Sequence, residues 1–267
     1  RTVVLGVDGE GRVGLETVEE VLQLRPALVS VMWANNEVGT LQPVAEIGSR
    51  CRAGGVVFHT DAVQAFGRVR VRVDETACDL LSLSAHKLGG PKGMGALYVR
   101  DGVQLDPLLH GGGQERELRP GTENVAGAVG LAVAAELAAA EQAAEAARLG
   151  ALRDRLQAGL SGRIAGLEIH GGGGARVPHI LNVGVPAVDQ DAVLVGLDLE
   201  GVAVSSGSAC HSGAVEPSHV LVAMGRDAPD TASVRFSLGR TTTAEEVERV
   251  IEVVARVVER SRAMAGS

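Results

Sequence analysis

Three short polar clusters follow apolar runs in the first hundred residues. Asn35-Asn36-Glu37 comes after ALVSVMW (27–33), His59-Thr60-Asp61 ends GVVFH (55–59) and is followed by Gln64, and Ser84-Ala85-His86-Lys87 closes DLLSLS (79–84). Taken singly, each has a plain explanation. Asp61 can cap the next helix, His86 can be a satisfied core histidine, and Lys87 can reach solvent. Taken together they gather amide, carboxylate, hydroxyl, imidazole and amine groups at the ends of three consecutive apolar segments. Lys87 is the most informative, because it stands where a buried run meets the glycine-rich GGPKGMG (89–95).

One cofactor calls for this set. Pyridoxal phosphate binds as a Schiff base to a lysine amine. Its ring nitrogen acts as an electron sink when a buried carboxylate keeps it protonated. Its phosphate needs hydroxyl, imidazole or backbone donors, and its phenolic oxygen needs a neutral donor. Lys87, Asp61, Gln64 and Ser84 or His86 fill these roles in turn. A second reactive group stands far away in sequence. Cys210 lies in SSGSACHSG (205–213), a run of small and polar residues bracketed by Gly207 and Gly213 that packs poorly. An exposed thiol with cationic neighbours ionises readily, and His211 is adjacent. Cys51 and Cys78 lie within apolar or helical segments and read as buried structural thiols. Three cysteines without a CxxC pair suit a reducing, cytoplasmic setting and argue against a zinc knuckle.

The elements that must position these groups alternate. Strands are expected at 3–7, 27–33, 55–59, 79–84 and 95–99, with helices at 14–23 and 44–53 between them. This rhythm implies a mostly parallel α/β sheet covered by helices. An Ala-rich helix is expected from Thr122 to about Leu160, followed by strands near 179–185, 203–207 and 233–238. Thr243 and Glu246 form a capping-box signature for a last helix. The expected organisation is a large domain over residues 1–140 and a smaller α+β domain over 141–267 that carries the Cys210 loop.

Composition narrows the functional classes. With 267 residues and 45% hydrophobic content the chain can bury a proper core, and with 2% aromatics that core must be aliphatic. A net charge of −8 argues against direct nucleic-acid binding. No signal peptide and no apolar run of membrane-spanning length is recognised, so no membrane association is expected. GEGRVG (9–14) matches the dinucleotide pattern GxGxxG, but a lone match after so short a strand is weak and the residues read as an ordinary polar turn; a nicotinamide-dependent oxidoreductase would rest on it alone. HGGG (110–113) resembles an esterase oxyanion loop, without the GxSxG nucleophile turn such an enzyme needs.

The chain resembles the cysteine desulfurases of the NifS/IscS type, class V aminotransferase-like enzymes of the pyridoxal phosphate-dependent transferase fold, and more distantly the selenocysteine lyases. The resemblance is carried by ANNEVG (34–39), HTDAVQAFG (59–67), SLSAHKLGGPKGMGALYV (82–99), HGGGQERELRPGTEN (110–124), SSGSACHSGAVEPSHVL (205–221) and SVRFSLGRTTT (233–243). It implies Lys87 as the cofactor-bearing lysine, Asp61 as the ring-nitrogen partner and Gln64 as the phenolic-oxygen ligand. It further implies Asn36 near cofactor and substrate, and Ser84 and His86 on the phosphate side. Thr122 would reach the phosphate of a neighbouring subunit, so a homodimer is implied. Arg235 would hold the substrate carboxylate through two parallel hydrogen bonds. Cys210 would be the nucleophile that takes sulfur from L-cysteine as a persulfide, leaving L-alanine, and passes it to an acceptor protein, as in iron–sulfur cluster assembly. Lys87 would serve as general base, with His86 a candidate acid. Relatives of the family carry more chain at the start, including a histidine that stacks on the cofactor ring. The sequence is therefore expected to be a fragment lacking that part. A selenocysteine lyase, another lyase or aminotransferase of the same fold, and a non-catalytic fragment remain as alternatives.

Overall fold

The computed structural model describes residues 1–207, 218–228 and 230–265. The first part contains α1 (Leu15–Leu22), β1 (Leu28–Ser30), α2 (Val44–Ala53), β2 (Val57–Asp61), the short α3 (Val73–Thr76), β3 (Leu80–Ser84) and β4 (Gly95–Val99). The sheet order is β1-β2-β3-β4. The first three strands are parallel and β4 returns antiparallel to β3. Aliphatic runs too short to span more than a few residues, joined by helical crossovers, are what a parallel sheet requires. Val18, Val29, Trp33, Ile47, Phe58 and Leu81 pack in its core. The buried Asp79 fastens the strand starts, accepting from Phe58 N at 2.8 Å and from Arg100 Nε at 2.7 Å.

Two expected strands are corrected. Residues 3–7 form no strand: Val7 makes a single bridge to Val13, and Val3 and Val4 are exposed, so there is no neighbour to complete a ladder. In 27–33 only Leu28–Ser30 is regular. The chain nevertheless continues beside β2, with Val31 N donating to His59 O at 3.1 Å and Trp33 N to Asp61 O at 2.8 Å. GEGRVG is a polar turn built on Asp8, whose Oδ1 accepts from Glu10 N and Arg12 N, both at 2.9 Å. Thr40 Oγ1 donates to Glu10 O, Gln42 Nε2 donates to Gly11 O and Val13 N donates to Gln42 Oε1, and Gly11 takes the left-handed φ of 78° that the turn uses.

A 37-residue helix, α4 (Val125–Ser161), leads to the second part, and the expected 140/141 division falls inside it. Beyond it lie β5 (Glu168–His170), β6 (Ile180–Pro186), α5 (Gln190–Leu199), the short α6 (His219–Ala223), β7 (Thr231–Ser237) and α7 (Ala244–Ala265). β5, β6 and β7 form an antiparallel sheet, covered by α4, α5 and α7 through Leu149, Leu160, Leu197, Ile251 and Val254. The strand expected at 203–207 is reduced to one bridge, Ser205 to Arg235.

By length and apolar composition alone, α4 is long enough to cross a bilayer, contrary to the sequence expectation that no such run exists. Its apolarity comes from Ala and Gly, which serve close packing. Ala134 lies against Gly90 and Ala138 against Gly67, while Leu149, Leu156 and Leu160 enter the second core. Arg148 on the same helix donates to the carbonyls of Gly239, Arg240 and Thr242. Val125, Val129, Val133 and Leu137 on the same helix are exposed.

The capping box is present. Glu246 N donates to Thr243 Oγ1 at 3.2 Å, and Thr243 N donates to Glu246 Oε2 at 2.9 Å. Thr243→Ala is expected to lower stability by about 1 kcal/mol, measured as a shift in urea midpoint at unchanged slope.

Candidate functional site

Parallel pairing brings the carboxyl ends of β1, β2 and β3 to one edge. The register Ser30↔His59 and Asp61↔Ser82 sets their relative heights. On one face His59 joins all three strands, its Nδ1 bonded to Ser30 Oγ and its Nε2 to Ser82 Oγ, both at 2.8 Å. Burial pushes its pKa below the ordinary histidine value, partly opposed by the Asp61 charge. His59 therefore braces the sheet, leaving Asp61 and Ser84 as the strand-end groups.

Lys87 lies in a 3-10 turn, Ala85–Leu88, that begins where β3 ends. Gly89 closes the turn in the left-handed region at φ +81°, and Gly90 N donates to Ala85 O at 2.9 Å. A side chain at Gly90 would meet both Ala134 Cβ and Ala85 O at 3.1 Å. Glycine there lets α4 lie directly against the turn, fixing the backbone from which Lys87 projects. His86 Nδ1 and Ser84 Oγ share a 2.7 Å hydrogen bond. Asp61 Oδ1 accepts from Val63 N at 2.8 Å, which shapes the turn that carries Gln64. Lys87, His86 and Asp61 are all exposed, and Gln64 is half-buried. The buried carboxylate expected of Asp61 is not found, because it is the last residue of its strand and its side chain emerges from the sheet edge.

A groove of about 770 Å³ runs between the Lys87 turn and α4, lined by His86, Lys87, Arg68, Leu137 and Glu141 among others, and it reaches Arg240. Asn36, Asp61, Gln64, Thr122 and Arg235 do not line it. Arg235, on β7, donates from Nη1 to Asn36 O at 3.0 Å, so two residues 199 positions apart meet through a backbone carbonyl. Thr122 is exposed just ahead of α4, which Asn124 caps by accepting from Gly127 N at 3.0 Å. Cys210 and His211 lie outside the described residues. Cys51 and Cys78 are fully buried. Burial pushes Cys51 up to about 11 and raises Cys78, which suits structural thiols.

Two groups have an environment that the sequence does not convey: Glu37, read there only as one member of a strand-end cluster, and His179, not singled out at all. Glu37, whose neighbours are Asn36 and Val38, is only 1% exposed. His179, at the start of β6, is 7% exposed, and its Nδ1 has no partner among the described residues. Burial first, then the charges of Arg68, Lys87, Arg235 and Arg153, push it down to about 3. It is a neutral imidazole in the field of both Lys87 and Arg235. The sequence signal for it was faint: one histidine beside a proline, ahead of an apolar strand.

The family model for class-V aminotransferases matches residues 1–250. A cysteine desulfurase of Gluconacetobacter diazotrophicus is 46% identical over 268 residues, covering 99% of this chain and 66% of that protein. A cysteine desulfurase IscS of Dictyoglomus turgidum is 44% identical over 262 residues, covering 98% and 66%. The X-ray structure of a NifS-like protein from Rickettsia africae superposes with a TM-score of 0.88 at 34% identity, covering 96% of this chain and 69% of that one. The chain belongs to the class-V aminotransferase family. It spans about two thirds of the length of the curated relatives it matches.

Pyridoxal phosphate is the cofactor of that family. The residues present fit it chemically: an amine on a turn held by glycine, a carboxylate and an amide in one turn, and a hydroxyl–imidazole pair, all at one sheet edge.

The low pKa of His179 has a consequence for stability. The folded value lies below the ordinary 6.5, so the unfolded chain binds the proton first on acidification. Stability is therefore full above about pH 6.5 and falls as pH drops below it. His179→Asn is expected to remove on the order of 1–2 kcal/mol of the loss between about pH 6.5 and 5. Urea titrations of parent and variant at both pH values check this.

Proposed function

We propose that this chain forms the larger part of a pyridoxal phosphate-dependent cysteine desulfurase that converts L-cysteine to L-alanine and leaves a persulfide on Cys210. The observation that carries the reading is the set of groups at one sheet edge, with Lys87 projecting from a glycine-closed turn directly after a parallel strand. The cofactor, when bound, supplies an electron sink that weakens the bonds at the substrate α-carbon and makes its carbon–sulfur bond cleavable. Lys87 would hold the cofactor and, once displaced by substrate, move the α-proton. Asp61 would face the ring nitrogen and Gln64 the phenolic oxygen. Ser84 and His86, already bonded to one another, would turn donors toward the phosphate. Asn36 and Arg235, which meet in the fold, would receive the amino acid, with the guanidinium on its carboxylate.

Cys210 completes the balance. Its thiolate attacks the substrate sulfur, a sulfur–sulfur bond forms, the carbon–sulfur bond breaks, and the released electron pair is protonated at the former β-carbon to give alanine. No outside oxidant is needed. The persulfide then passes to an acceptor protein thiol. We further infer a homodimer, in which the exposed Thr122 serves the partner's phosphate site, and a reducing, cytoplasmic setting.

In the full-length protein, Cys210→Ala is expected to abolish persulfide formation, read by mass spectrometry after single-turnover mixing with L-cysteine. Persulfide or sulfide at the parent rate would sink the assignment. Lys87→Ala is expected to lose the visible absorbance of lysine-bound cofactor on adding pyridoxal phosphate, and retention of that absorbance places the anchor elsewhere. Running L-selenocysteine beside L-cysteine distinguishes the related lyase.

A further inference from the structure

Arg235 and Asn182 stand directly opposite one another on β7 and β6, so their side chains emerge on the same face of that sheet. They donate to successive carbonyls of one loop. Arg235 Nη1 reaches Asn36 O at 3.0 Å, and Asn182 Nδ2 reaches Glu37 O at 3.2 Å. A carbonyl only accepts, so the amide nitrogen of Asn182 faces Glu37 and its Oδ1 faces the other way. There Oδ1 accepts from His170 Nδ1 at 2.7 Å and from Ser233 Oγ at 3.3 Å. Asn182 is fully buried and His170 is 1% exposed. The loop itself is stiff: Asn35 Oδ1 accepts from Glu37 N at 2.8 Å and from Val38 N at 2.9 Å. Gly171, one residue past His170, lies so close to this loop that a Cβ would come within 2.6 Å of Thr40 Oγ1 and 3.0 Å of Val38 O.

A polar network is a costly way to join two cores. Three buried side chains, Asn182, His170 and Ser233, must all find partners, and His170 Nε2 has none among the described residues. Apolar residues at these positions would fill the same space without an orphaned nitrogen. What the polar version adds is direction. A guanidinium holds a carboxylate through two parallel hydrogen bonds, and these require one orientation of its plane. The Arg235 backbone is fixed on both edges, by β6 and by Ser205, whose O accepts from Arg235 N at 2.7 Å. Its guanidinium is tied to Asn36 O, and the next carbonyl along is held by Asn182. The two donors thus set the place of the loop and of the guanidinium together.

We propose that Asn182 is a positioning residue for substrate recognition, which together with His170 holds the Asn36–Glu37 carbonyls where Arg235 is aligned for the carboxylate of the amino acid. The inference rests on the reading of Arg235 as the carboxylate ligand. It extends that reading to two residues of the second part that act through Arg235 and not by touching the substrate.

The test uses the full-length, cofactor-loaded protein and two probes, L-cysteine and cysteamine, which is the same aminothiol without the carboxylate. The readout is the probe concentration that gives half of the cofactor's spectral change. Asn182→Leu is expected to raise it about tenfold for L-cysteine and to leave it within about twofold of the parent for cysteamine. His170→Leu is expected to shift the L-cysteine value in the same direction by about threefold. His170→Asn, whose amide nitrogen can stand where Nδ1 stands, is expected to restore the parent value. In an Arg235→Ala background, Asn182→Leu is expected to add nothing, and a further selective loss there overturns the inference. Where Asn182→Leu does not fold, the His170 pair decides. Parent-like L-cysteine binding in Asn182→Leu and His170→Leu, with Arg235→Ala weakened for L-cysteine alone, overturns this inference and leaves the functional reading standing. Equal weakening for both probes in Asn182→Leu also overturns it, as the mark of a purely structural role. Parent-like L-cysteine binding in Arg235→Ala overturns the reading of Arg235 and this inference with it.

Discussion

Parallel pairing is the constraint on which the rest of this structure depends. Strands running the same way must end at the same edge, and each needs a crossover to return to its start. β1, β2 and β3 obey this, so side chains at their ends, far apart in sequence, become neighbours without any direct bond between them. His59 makes the arrangement rigid by bonding to a serine on each adjacent strand. The polar set at the edge is thus carried by backbone ladders and one half-buried imidazole, and the edge residues are left to face solvent and whatever binds there.

The second dependency is the seam between the two cores. Residues 35–42 form a tight loop, with Asn35 N bonded to Thr40 O and Gln42 N to Trp33 O. The second part grips this loop: Leu41 N donates to Ala175 O at 2.9 Å, Val177 N to Gly39 O at 2.8 Å, and Arg235 to Asn36 O. A polar chain continues inward, from Glu37 O to Asn182 Nδ2, and from Asn182 Oδ1 to His170 Nδ1 at 2.7 Å. Buried polar groups of this kind specify one arrangement more sharply than apolar contacts do, because a shifted register leaves them unsatisfied. α4 makes the second connection, packing its small residues on the Lys87 turn and its leucines in the other core.

Much of this was legible in the sequence for a physical reason in each case. β2, β3, β4, α2 and α7 announce themselves through aliphatic runs and helical periodicity, and α7 through its reciprocal Thr243–Glu246 signature. The failures are equally specific. Residues 3–7 have strand composition but no partner strand, and composition cannot supply one. The apolarity of α4 hid its length as a possible membrane run, since Ala and Gly weigh little in a residue-by-residue reading. α5 was missed because its small and apolar run, AVLVGL, lacks a clear helical period and Asp189 is its start signal.

By itself the sequence determined the chemistry on offer: an amine beside glycines, a carboxylate with an amide three residues on, an exposed-type thiol among small residues, and an arginine in a strand. Residue type and local spacing suffice for that, because reactivity belongs to side chains and turns belong to glycines. Only the tertiary structure decided which of these groups are neighbours and which are spent on the scaffold. His59 turned out to be a brace and Asp61 an exposed strand-end group. Asn36 serves Arg235 through its carbonyl, and Glu37, read in the sequence only as one of a polar cluster, is a buried hydrogen-bond acceptor. Those outcomes depend on long-range register and burial, which are set by the packing of segments up to 199 residues apart and leave no mark in any local stretch of the chain.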